Sequence, residues 1–219
     1  MTFQSESKSK MVEELGQFLT PDNRLDVRAV ALAEILGLTG TTEGLKALST
    51  VKTIQNTLVN LISDKADVIA TDSMLALINL SSDPSCVDSL LENPDLVPKL
   101  VELISDKESK FADKSTQILS NLTRELSCCS KVFEQMKKSG IGIDKLINLL
   151  CHEKYNTSEQ DLRFLGPVMS NLSQLVDVRR EILGTYYSFI YNSCAILNYQ
   201  TPKNVFYSDS FLLLSMLDL

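Results

Sequence analysis

The chain has 219 residues and a formal net charge of −7 from 28 acidic and 21 basic residues, with one His, no Trp and five Cys. The basic residues are dispersed, which disfavours nucleic acid as a direct partner, and five scattered cysteines make no disulfide framework and fit a reducing compartment. The opening MTFQSESKSK lacks the apolar stretch of a signal peptide, and no apolar run reaches the about 18 residues that span a bilayer, so the expected location is cytoplasmic, with the nucleus also open.

In chain order, residues 1–10 are polar and read as a disordered start. From Met11, Val12, Leu15, Phe18 and Leu19 recur at helical spacing until Pro21-Asp22-Asn23 supplies turn chemistry. Asp26 is placed to cap the next helix, whose apolar stripe is Val27, Val30, Ala31, Ile35, Leu36 and Leu38. Residues 11–53 then form a divergent first unit. In 54–94 the segment LVNLISDK (Leu58 to Lys65) precedes a long helix over Ala66 to Ser81, with Met74, Leu75, Leu77, Ile78 and Leu80 facing inward. Asp83-Pro84 breaks it, because proline offers no amide donor, and a short helix over Ser85 to Glu92 follows.

The same order returns in 95–142. LVELISDK (Leu100 to Lys107) is displaced by forty-two positions from its first copy, Pro98 falls in the first turn of its helix, and a long helix is expected over Glu108 to Glu125 with Phe111, Ile118, Leu119 and Leu122 inward. A third version, LINLLCHE from Leu146, opens 143–183, whose long helix is expected near Ser158 and is interrupted at Gly166-Pro167. There the pattern predicts a kink, or two helices with Pro167 near the start of the second. Val176, Val178, Ile182 and Leu183 are expected to face onward from this unit. Residues 184–219 lose the register and hold five of the six tyrosines; they read as a divergent aromatic and apolar tail.

A helical pattern recurring at roughly 40–47 residues marks an armadillo or HEAT array. The predicted fold is therefore an all-α, right-handed armadillo/HEAT-like solenoid of about four repeats with a non-repeat C-terminal tail. Such arrays bury a continuous seam between neighbours and offer a concave surface for binding.

Each long helix ends in a small motif: Asn79-Leu80-Ser81, Asn121-Leu122-Thr123 and Asn171-Leu172-Ser173. An amide side chain has two donors and an acceptor, so these asparagines suit either an inter-repeat structural ladder or hydrogen bonding to the main chain of a bound peptide. Asp72, Lys114, Gln117, Arg124 and Arg163 lie within a few residues of them and share the candidate protein-binding face with Asn79, Asn121 and Asn171. Vicinal Cys128-Cys129 and the Cys151-His152 pair match no zinc spacing and read as small buried or half-exposed residues. No catalytic triad, phosphate loop or metal set is apparent, so no cofactor is expected and the chain reads as a non-enzyme.

The segment YNTSEQDLRFLGPVMSNLSQL, Tyr155 to Leu175, resembles a distinctive stretch of the Hgh-type armadillo-like proteins: a Tyr-Asn pair, a Leu-x-Pro turn at Leu165-Gly166-Pro167, then Ser-Asn-Leu-Ser-Gln from Ser170 to Gln174. LALINLSSDP (Leu75 to Pro84) and LSNLTRE (Leu119 to Glu125) look like earlier repeats of that family, and the likeness covers about Met11 to Leu183. The resemblance implies a cytosolic adaptor-type chaperone that helps translation elongation factor two to fold together with the cytosolic chaperonin. Family members continue through further helical repeats where this chain has its Tyr-rich tail, so a C-terminally truncated form is expected. The alternative is a generic armadillo scaffold that holds a linear peptide in its groove. The importin-type version of that groove places Trp four residues before each Asn, where this chain has Leu75, Gln117 and Pro167.

Overall fold

The computed structural model describes residues 3–151, 156–157 and 160–185. Its helices are α1 (Phe3–Gln17), α2 (Leu25–Leu38), α3 (Thr42–Thr50), α4 (Lys52–Leu61), α5 (Asp67–Ser82), α6 (Pro84–Leu90), α7 (Leu96–Ser105), α8 (Ala112–Leu122), α9 (Leu126–Lys138), α10 (Ile143–Cys151) and α11 (Leu165–Leu172). Residues 176–185 are also helical and are called α12. A minimal antiparallel ladder, β1 (Asn156–Thr157) with β2 (Gln160–Asp161), pairs Asn156 with Asp161 and Thr157 with Gln160. The helices recur in threes, and α2, α5, α8 and α11 pack in succession as one layer. This is the α-solenoid predicted from the repeat.

Local chemistry sets the boundaries. Asp83 caps α6: its carboxylate accepts from the Ser85 amide at 2.8 Å, and Pro84 occupies the first helical position, where a missing N–H costs nothing. Thr41 Oγ1 caps α3 through the Gly44 amide at 3.0 Å, and Gly44 is demanded there because a Cβ would lie 2.0 Å from the Leu38 carbonyl oxygen. Gly140, at φ 70°, closes α9: the Ile141 amide reaches the Met136 carbonyl at 2.9 Å and the Gly140 amide reaches Lys137 at 3.0 Å. That pair of bonds satisfies carbonyls the helix end would otherwise leave open.

The LISDK segments do the same work twice. Leu58 and Leu100, with Val59 and Val101, are fully buried. The following aspartates close the turn out of the helix: Asp64 accepts from the Ala66 amide at 2.9 Å and Asp106 from the Glu108 amide at 3.0 Å. Apolar residues thus form the inter-repeat seam while the polar end of the motif stops the helix. Pro98 lies in the first turn of α7 and Phe111, Ile118, Leu119 and Leu122 are buried, as predicted.

Several expectations are corrected. Residues 3–10 are not a disordered start but the first half of α1, which packs on α2, α3 and α4; its Gln, Glu and Lys residues are good helix formers, and Val12 anchors it at full burial. Asp26 does not cap α2; it stands inside the first turn, where its carboxylate meets Arg24 and the helix N-terminus. Ala31 and Ile35 are buried as expected, but Val27 and Val30 are exposed and α2 buries Arg28 and Leu32 in addition. Leu75 is likewise exposed rather than inward. α8 is shorter than predicted at both ends.

The fourth unit departs most. Its interval from Leu146 to Asn171 is four residues longer than in the earlier copies, and the chain between them holds the β1–β2 ladder instead of a helix beginning near Ser158. α11 begins at Leu165 because Pro167 is tolerated only in a helix's first turn. Of the residues expected to face onward, Val176 is exposed, whereas Val178 and Ile182 are buried. His152 and residues 186–219, which include most of the expected tail, lie outside the described residues.

Candidate protein-binding face

The three asparagines form one side of a polar spine. Asn79 Nδ2 donates to Thr39 Oγ1 at 2.7 Å, Asn121 Nδ2 to Ser81 Oγ at 3.0 Å, and Asn171 Nδ2 to Thr123 Oγ1 at 3.2 Å. Each acceptor is the hydroxyl two residues after the asparagine position of the preceding unit. Each hydroxyl first gives its own proton to its helix: Thr39 to Leu36 O at 2.6 Å, Ser81 to Ile78 O at 2.9 Å and Thr123 to Leu119 O at 2.9 Å. Its lone pairs are then oriented for the incoming amide. The result is the structural ladder, one of the two roles open from sequence.

The ladder is strongest at its middle rung. Asn121 is 6% exposed, its amide also contacts the Ile78 carbonyl at 3.4 Å, and its Oδ1 accepts from Arg124 Nη2 at 2.6 Å. Asn79 and Asn171 are half-buried. The hydroxyl partners were missed from sequence, although the signal was present in the third residue of each motif and in Thr39, where the first unit has Gly37 in place of the asparagine. A second missed feature is the buried ion pair of Arg28 with Asp64, which ties α2 to the turn before α5.

Of the remaining candidates, Arg124 joins the spine through Asn121. Asp72 on α5 and Lys114 on α8 occupy equivalent positions forty-two residues apart, both half-buried, and neither has an ion-pair partner among the described residues. Gln117 is half-buried on α8, and Arg124 is exposed just beyond it. Arg163 is exposed but is not on a helix: it stands in the turn before α11, a consequence of the late helix start forced by Pro167.

Cys86, Cys128 and Cys129 are packed residues, whereas Cys151 is exposed. Cys129 Sγ donates to the Thr123 carbonyl at 2.9 Å and approaches the Asn171 carbonyl at 3.5 Å, so it buttresses the same spine from behind. Burial, with the neighbouring Cys128 thiol, pushes the Cys129 pKa up to about 11. Burial also raises Cys86 and Cys128, which keeps them protonated and unreactive. A shallow groove of about 650 Å³ between the end of α7 and the turn at Gly140 to Asp144 gathers no acid–base or nucleophilic constellation. Among the described residues no group of three or more His, Cys, Asp or Glu is placed to hold a metal, and no helix is long and apolar enough to cross a membrane.

Comparisons with known proteins agree with this architecture. Residues 103–202 match the family model described as a domain of unknown function, DUF383. The chain is 37% identical over 179 residues to the Protein HGH1 homolog of Danio rerio, covering 82% of this chain and 46% of that protein. It is 38% identical over 174 residues to the homologue of Xenopus laevis, covering 79% and 48%. The chain therefore spans about half the length of the curated relatives it matches. Among solved structures, a designed armadillo repeat protein in complex with the peptide (KR)4 superposes with a TM-score of 0.65 at 16% identity, covering 97% of this chain and 86% of that one, which establishes the fold. Over about four-fifths of its length, this chain is similar to the Hgh1-type armadillo-like repeat proteins.

Proposed function

We propose that the chain is a cytoplasmic protein-binding adaptor that assists the folding of translation elongation factor two with the cytosolic chaperonin, the role its Hgh-type resemblance implies. The observation that carries this over peptide scaffolding is the direction of the asparagine amides. Each gives an N–H to the preceding unit's hydroxyl, and Asn121 also reaches the Ile78 carbonyl, so the amides are turned toward the neighbouring repeat before any extended main chain. It offers side chains of mixed character instead: Leu75, Asp72, Lys114, Gln117 and Arg124. That mixture suits the irregular surface of a structured or partly folded client. The fold likeness to a designed armadillo protein holding (KR)4 favours the second reading, a groove for a linear peptide. Leu75, Gln117 and Pro167 stand against the importin-type version of that groove, which needs Trp there.

The test is capture by the tagged chain from a eukaryotic lysate, followed by binding to purified elongation factor two. Enrichment of that factor together with chaperonin subunits is the expected result. Capture of unrelated proteins sharing one short tail motif, with neither of the expected partners, overturns the adaptor reading and leaves the peptide scaffold.

A further inference from the structure

The outer face of the α2–α5–α8–α11 layer is divided into two chemically different halves. On α2 and α5 it is apolar and acidic. Val30 is 65% exposed, Val68 46% and Leu75 37%, with Val27 and Ala33 also at the surface. Glu34 and Asp72 accompany them without an ion-pair partner among the described residues. On α8 and in the turn that follows it the face changes sign. Lys114 has no acidic partner among the described residues and the exposed Arg124 spends one nitrogen on a neutral amide, whereas Arg163, in the turn before α11, is already engaged. Lys110 already pairs with Asp67, and Asp113, half-buried next to Lys114, is itself engaged.

This runs against the molecule as a whole. A chain of net charge −7 attracts basic ligands by its long-range field. A local cationic half on such a chain therefore selects at short range, where opposite charges add specificity and like charges exclude. The exposed valines and leucine supply apolar anchors one to two helices away, at helix spacings of about 8–10 Å.

We infer that this face takes a client segment that is apolar at one end and acidic at the other, apolar side chains over α2 and α5 and carboxylates over Lys114 and Arg124. The inference rests on the reading of this layer as the client face. It fixes the polarity and charge of what binds there. Val30 and Lys114 lie outside the asparagine spine, so they can be changed without cutting it.

The experiment uses the full chain and three fluorescent 18-residue probes: Leu and Phe in the first half with Glu in the second, the same peptide with Lys for Glu, and the acidic peptide scrambled. Anisotropy should show the acidic-ended peptide binding at least about ten-fold more tightly than the Lys version. Lys114→Glu should weaken it by about ten-fold, and Val30→Asp by a comparable factor that persists in 0.5 M salt, where charge is screened. Melting temperatures of both variants check that the fold is intact. Equal or tighter binding of the Lys peptide, or of the scrambled one, overturns the inference. Capture of elongation factor two by the same variants separates the two failures. If Lys114→Glu and Val30→Asp abolish capture while the probe preference is wrong, only the charge polarity fails. If capture is untouched by both, the client face lies elsewhere and both readings fall.

Discussion

The middle of the array and its first unit solve one packing problem differently. Forty-two residues apart, Ala70 on α5 and Ala112 on α8 are small and buried where their helices meet the preceding layer. The equivalent position on α2 is Arg28, 7% exposed, whose guanidinium pairs with Asp64. In the middle, neighbours on both sides supply apolar partners, and a methyl suffices. At α2, which packs on α1, α3 and α5, a long polar side chain crosses to the turn of the next unit instead. The spine shows a matching difference: Gly37 stands at the asparagine position of this unit, while Thr39 keeps the acceptor that Asn79 needs. The unit thus retains what its successor uses.

The comparison predicts that removing the shared apolar seam costs most. Leu100 is fully buried between α7 and its neighbours, and Leu100→Ala should lower stability by about 3–4 kcal/mol through lost transfer energy and a residual cavity. Urea denaturation measures it; a loss under about 1 kcal/mol means that the repeated LV-x-LI segment is not the core of the seam. The end unit comes second. Arg28→Ala leaves the Asp64 carboxylate with only the Ala66 amide and should cost about 2–3 kcal/mol, while the same change in an Asp64→Asn background should cost clearly less. If both backgrounds lose the same amount, the pair is not coupled and Arg28 acts only by filling space.

The spine gives the third effect. Asn121→Ala removes partners from Ser81, Ile78 and Arg124 at a buried site and should cost about 1–2 kcal/mol, with or without client. Asn79→Ala, half-buried with one rung, should cost less. A melting temperature unmoved by Asn121→Ala, together with lost client binding, would return the asparagines to the role of client contacts.

How far these features were readable depends on whether repetition or geometry encodes them. The exact return of LISDK exposed the period, the seam leucines and the turn-closing aspartates, because identical residues recur where identical packing recurs. The asparagine positions were legible for the same reason, but their partners were not. A hydroxyl that accepts from the next unit looks in sequence like an ordinary capping or turn residue. Arg28 was invisible because a charged residue inside an apolar period reads as solvated until its partner, thirty-six residues away, is seen. Val27, Val30 and Leu75 fall within apolar helical periods and read as inward, yet all three are exposed, because periodicity alone does not tell which side of a helix its neighbours cover. The late start of α11 was half legible: Pro167 fixed it, and the four additional residues gave no sign of the β1–β2 ladder.

The smallest effect concerns acid, and it separates the buried pair from its surface counterparts. Burial alone would raise the Asp64 pKa, but the Ala66 amide and the Arg28 guanidinium outweigh it and hold the carboxyl below its ordinary value. The folded state therefore binds this proton less readily than the unfolded chain, where an Asp titrates near 3.9. Its contribution is complete above that value and is lost as pH falls through it toward the lower folded pKa. Asp88 is also lowered, by its hydrogen bond and charge interaction with Lys131, but both side chains are well exposed and solvent screens the pair. Melting curves at pH 7, 5 and 3 should show wild type above Asp64→Asn by a gap that is constant from pH 7 to 5 and narrows by pH 3. Asp88→Asn should track wild type throughout once salt is raised to 0.5 M. A gap for Asp64→Asn that stays constant down to pH 3 would mean that its charge contributes nothing, and that the first unit is held by the shape of Arg28 rather than by the ion pair.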